Sequence, residues 1–74
     1  MSRLPAVTPR QVVAALKRDG FEQQRQRGSH LFLYHPVRDV VTTVAMHAKD
    51  MPRGTLRAIL KQAGLTDDEF RELL

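Results

Sequence analysis

Arg27-Gly28-Ser29-His30 gathers within four residues the groups that proton transfer on an anionic substrate requires. Histidine gives or takes a proton near neutrality, arginine carries a permanent charge, and the serine hydroxyl both donates and accepts. Glycine lets the backbone turn tightly or come close to a ligand. His30 and His35 are five apart in one predicted strand, so they point to opposite faces and cannot share a metal. There is no cysteine and no His-Glu helical motif, so no metal site is expected. Ser29 and His30 are neighbours whose side chains diverge, which argues against a Ser-His-Asp arrangement. A glycine-rich phosphate loop is absent as well, and no cofactor is expected. What remains is acid-base work by histidine on a substrate held by cations.

The elements that must position this turn follow in chain order. Thr8-Pro9 begins a helix that runs through Asp19 and stops at Gly20, with Val12, Val13 and Leu16 on one face. Phe21 to Gln26 reads as a polar edge strand, His30 to His35 as a clearer strand, and Val40 to Met46 as the clearest, with Pro36 to Asp39 turning between the last two. The three form an antiparallel meander. Asp50 and Pro52 mark the start of a second helix whose Leu56, Ile59, Leu60 and Ala63 make an apolar stripe before Gly64. Thr66-Asp67-Asp68-Glu69 has the form of a capping box for a short last helix. The expected fold is a single α+β domain over residues 1–74, with helices covering one face of the sheet and the other face left to water or a ligand.

Register decides what joins His30. If residue 45 lies opposite residue 30, then Ala45 and His47 share the face of His30, and His30, His47 and Lys49 converge beside the start of the Arg53 helix. A slip of one residue sends His47 to the other face. In the first register, neutral His30 could take the proton of an RNA 2′-hydroxyl, which attacks the adjacent phosphorus. Lys49, Arg27 or backbone N–H groups would hold the charge that builds on the phosphate oxygens. The bland alternative for His30 is a polar surface residue.

Charge is unevenly placed. Residues 1–64 hold eleven of the twelve Lys and Arg against Asp19, Glu22, Asp39 and Asp50, whereas the last ten residues hold four acids and Arg71. A body at +7 and a tail at −3 favour a polyanionic partner, nucleic acid first and an acidic protein next, with simple solubility as the alternative. Arg53, Arg57 and Lys61, four apart, form a cationic row suited to phosphates. The bland alternative for the row is a solvated face, and packing along the sheet could equally fix the stems of Arg57 and Lys61. No apolar run reaches the roughly 20 residues of a membrane span, and the chain start lacks an apolar leader, so a cytoplasmic protein is expected.

These residues also carry a resemblance. Arg25 to His30 with its Gly28-Ser29-His30, then His35-Pro36, Val44-Ala45-Met46-His47, and the run from Lys49 through Gly54-Thr55-Leu56-Arg57 to Gly64-Leu65 resemble the HicA, or YcfA-like, family of mRNA interferase toxins. The match covers nearly the whole chain. Family members often carry Pro where Ala45 stands and Leu where Met51 stands; neither change touches the chemistry outlined above. The resemblance implies a double-stranded-RNA-binding-domain-like fold, cleavage of mRNA that arrests translation, and a HicB-type antitoxin that covers the active surface. It places the catalytic histidine at His30. The residue that protonates the leaving oxygen is not given by the family pattern, and His47 is the candidate.

The expected site is then His30 as general acid and base, with Arg27, Gly28, Ser29, Lys49, Arg53, Arg57 and Lys61 contacting RNA and His47 as an auxiliary. Phe32 and Tyr34 lie on the His30 side of their strand and could stack a splayed base, although core packing is the expected role. The antitoxin should bury the His30 surface and be acidic where it meets Arg53 and Arg57. The rival readings are a noncatalytic RNA-binding module, a helix-mediated DNA binder, and a purely protein-binding adaptor.

Overall fold

Local capping chemistry sets the first helix. In the computed structural model, which describes residues 4–47 and 49–74, α1 spans Pro9–Asp19. The first three residues, where the absence of a leader was read, lie outside the described residues. Thr8 accepts from the Gln11 N–H, and the Gln11 side chain accepts in return from the Thr8 N–H, closing a capping box. Gly20 ends the helix at φ +114.

The sheet follows as β1 (Glu22–Arg27), β2 (His30–His35) and β3 (Val40–Ala45), antiparallel in the order β1-β2-β3. The chain then forms α2 (Arg53–Ala63) and α3 (Asp67–Leu73). This is the α+β layout expected from the sequence. Side chains alternate across the sheet as its pleat demands. Leu31, Leu33 and His35 of β2, with Thr42 and Val44 of β3, are buried on the inner face. There they join Val12, Leu16, Leu56, Leu60 and Phe70 in one core. α2 packs on β3, and every residue of β1 is exposed, as an edge strand should be.

Two expectations need correcting. Phe32 and Tyr34 are not core residues; they lie half-buried on the outer face, because the helices cover only the face that carries Leu31 and Leu33. Asp50 does not cap α2, whose N-cap is Pro52 with no side-chain hydrogen bond.

A polar clamp closes one end of the molecule. The Arg38 guanidinium donates to both carboxylate oxygens of Asp19, at 2.7 and 3.0 Å, and to the Ala63 carbonyl at 3.1 Å. The β2–β3 turn is thereby tied to the ends of α1 and α2. His35 sits beneath, accepting at Nδ1 from the Arg38 N–H and donating from Nε2 to the Asp19 carbonyl, a pattern that fixes the neutral Nε2–H tautomer. Phe21 meets its ring edge-on at 5.0 Å.

Candidate active site

The opposite end of the sheet carries the candidate site residues. Arg27 and His30 face each other across a two-residue turn in which Gly28 takes φ +57 and Ser29 does not, the pattern of a type II′ hairpin. His30 also lies opposite Ala45, so β2 and β3 adopt the register that places residue 45 on the His30 face. Three cross-strand rows therefore line the outer face: Arg27–His30–Ala45, Arg25–Phe32–Thr43 and Glu22–Tyr34–Val41. A bulge at Gln24 keeps both Arg25 and Glu22 on that face despite their odd spacing. Sequence reasoning did not single out Arg25. Its signal lies in the pairing with Phe32, where the guanidinium stands 4.8 Å from the ring centroid.

His47 follows the end of β3, so strand alternation does not orient it; a hydrogen bond does. Its Nδ1 lies 3.1 Å from the Ser29 hydroxyl. The segment that carries His47 and Lys49 is pinned at both ends, the Met46 N–H donating to the Ser29 carbonyl and the Met51 N–H to the Val7 carbonyl. Buried Met51 and Val7 anchor the second attachment in the core. His30, His47 and Lys49 are all exposed.

The cationic row on α2 is spread along the molecule. The Thr42 hydroxyl bonds to Gln62 and the Arg38 guanidinium to the Ala63 carbonyl, so the C-terminal end of α2 sits at the clamp. Lys61 therefore lies beside the clamp, and Arg53 stands at the other end of a helix about 16 Å long. Arg57, midway, pairs with Asp67 of α3 at 3.4 Å. The structure therefore gathers Arg27, Gly28, Ser29, His30 and His47 at one end, with Lys49 and Arg53 on the chain that leaves it. It does not bring Arg57 and Lys61 to that group.

Two further features bear on ligands. Among the described residues no three His, Cys, Asp or Glu side chains cluster as a metal site would require. A cavity of about 170 Å³ is lined by Gln11, Ala14, Arg18 and Leu74, none of them a candidate site residue.

An exposed histidine at the end of a basic sheet, approached by a second histidine held on a serine, is an arrangement suited to phosphodiester chemistry. The family model for the HicA toxin of bacterial toxin-antitoxin systems matches residues 9–65, a span that includes every element from α1 to the end of α2. The chain belongs to the HicA toxin family. It is a toxin of a toxin-antitoxin system, and HicA membership implies an antitoxin partner and an RNA substrate. No curated protein matches the chain. Among the described residues no helix is long and apolar enough to cross a membrane.

Proposed function

We propose that this HicA toxin is a metal-independent endoribonuclease, an mRNA interferase, in which His30 moves the proton of the attacking hydroxyl. The observation that carries the reading is the position of His30, exposed in the row Arg27–His30–Ala45 at the open end of the sheet. Neutral His30 takes the proton of an RNA 2′-hydroxyl; the 2′-oxygen forms a bond to the adjacent phosphorus as the bond from phosphorus to the 5′-oxygen breaks. His47 gives a proton to that leaving oxygen. The products are a 2′,3′-cyclic phosphate and a 5′-hydroxyl.

Arg27, Lys49 and the backbone N–H groups of Gly28 and Ser29 stabilise the charge that grows on the phosphate oxygens, a role that fixed donors fill without reorganising. Arg53, Arg57 and Lys61 extend the basic surface along α2 to more distant phosphates or to acidic groups of the partner. That partner is a HicB-type antitoxin that covers His30, and the toxin acts in the cytoplasm, where mRNA is found.

The test compares the protein and His30→Ala on a long single-stranded RNA in excess EDTA, after circular dichroism has shown both to be folded. Cleavage by the parent alone, leaving cyclic phosphate ends, is the expected result. Binding without cleavage by both proteins would replace this reading with a noncatalytic RNA-binding module.

A further inference from the structure

The row next to His30 has a composition that the chemistry above does not use. Phe32 stands on the outer face, where a solvated antiparallel sheet ordinarily presents polar side chains. Tyr34, the other aromatic residue on that face, is accounted for by its hydrogen bond to Asp39 in the following turn. No such bond explains Phe32. Its neighbours across the strands are Arg25, whose guanidinium lies over the ring at 4.8 Å, and Thr43, which carries a hydroxyl. An aromatic ring layered with a guanidinium is a surface on which a nucleobase stacks, and a nearby hydroxyl can meet the edge of that base.

Spacing makes the row usable by the same RNA. Phe32 is two residues beyond His30 on one strand, about 6.8 Å along it, which is about one nucleotide step of an extended chain. We propose that Arg25, Phe32 and Thr43 form a nucleobase subsite that binds the base next to the scissile phosphate, so that Phe32 helps to determine where the RNA is cut. This inference rests on the ribonuclease reading of His30.

A cross-strand Arg–Phe pair also stabilises a sheet without any ligand. The decisive experiment therefore couples the side chain to the base itself. His30→Ala protein, which leaves substrate intact, is titrated with a short single-stranded RNA and with versions of it in which each base in turn is removed to leave an abasic sugar. The same series is repeated with His30→Ala/Phe32→Leu and His30→Ala/Phe32→Trp. Phe32→Leu keeps an apolar side chain on the outer face and so preserves the fold. The expected result is one abasic position that weakens binding by about 5- to 150-fold, the size of one base–aromatic stack, in Phe32 and Trp proteins and has little effect in the Leu protein. Equal losses in all three proteins, or none, would overturn the subsite while leaving the catalytic reading of His30 in place. Failure of His30→Ala to bind any of these RNAs would overturn the subsite, whereas the ribonuclease reading stands or falls separately on cleavage by the parent protein in EDTA.

Discussion

His47 is held at the His30 end of the sheet through Ser29, whose hydroxyl lies 3.1 Å from Nδ1 of the imidazole. In the proposed mechanism that bond leaves Nε2 to face the RNA. When the ring carries two protons, Nδ1–H donates to Ser29 and Nε2–H is the proton available to a leaving oxygen. His47→Ala should lower the turnover of RNA by about 100-fold or more, the usual size of general-acid assistance. Ser29→Ala removes one positioning bond and should cost only about 5- to 10-fold. A ribonucleoside 3′-p-nitrophenyl phosphate has a leaving group that needs no proton, so both variants should cleave it at nearly the parental rate. A comparable loss on both substrates would show that His47 does not act on the leaving group.

The glycines separate fold requirements from open space. Gly20 has φ +114, and a Cβ there would lie 2.8 Å from Nε2 of His35. Gly20→Ala should destabilise by about 1–3 kcal/mol from backbone strain alone, with the displaced histidine adding to it. Gly54, in the first turn of α2, has nothing within contact distance and an ordinary helical backbone. Gly54→Ala should therefore gain about 0.5–1 kcal/mol. Urea unfolding followed by circular dichroism measures both signs.

The Arg38 clamp should contribute a large share of the stability of so small a domain. The Asp19 carboxylate holds the guanidinium above its ordinary range, so Arg38 stays charged wherever the chain is folded. Its hydrogen bonds join three elements, and hydrogen bonds to charged groups are each worth about 1.5–3 kcal/mol when buried. Partial exposure of Arg38 reduces that figure, and Arg38→Ala should cost about 2 kcal/mol in urea unfolding. Arg38→Lys keeps the charge but cannot fork to Asp19 while reaching Ala63, and should recover only part of the loss.

Most of the fold could be read from local signals, and the departures have physical causes. The first helix is legible to the residue because the Thr8 cap, Pro9 and Gly20 all act locally on the backbone. The central strand is also legible to the residue, since His30 to His35 is rich in aromatic and aliphatic residues and is bounded by the Gly28-Ser29 and Pro36 turns. β1 starts and ends one residue later than expected; its six residues hold no apolar alternation, and Gln24 bulges out of the ladder. Asp50 and Pro52 together signal the start of α2, yet only Pro52 adjoins the helix, because Met51 is drawn into the core and its N–H donates to the Val7 carbonyl, a contact invisible to local pattern. The sequence admits two registers for β2 and β3, since the strands alone do not choose between them, and the fold pairs His30 with Ala45. Arg38 and Asp19 lie nineteen residues apart, and only the closed fold reveals the pair. For Phe32 and Tyr34, hydrophobicity suggested the core; which face the helices cover decides otherwise.

Tyr34 offers a direct spectroscopic check of the β2–β3 turn. Its hydroxyl donates to Asp39 Oδ1 at 3.0 Å, and Asp39 adopts the left-handed region at φ +56 to close the turn. That hydrogen bond is the main reason the phenol pKa is raised above 10.0, and the negative charge of Asp39 adds to the shift. A raised pKa means that the protonated phenol is preferred in the folded chain. The resulting stabilisation is complete below the unfolded value and is lost as pH rises through the folded one. Tyr34 is the only tyrosine and there is no tryptophan, so tyrosinate absorbance near 295 nm reports this group alone. The native midpoint should lie above 10, and Asp39→Asn should move it down towards 10 by removing the charge. Asp39→Gly should lower it similarly while relieving the strained φ, which separates the electrostatic contribution from the turn conformation. A native midpoint at the value of the unfolded chain would mean that the bond between Tyr34 and Asp39 does not form in solution.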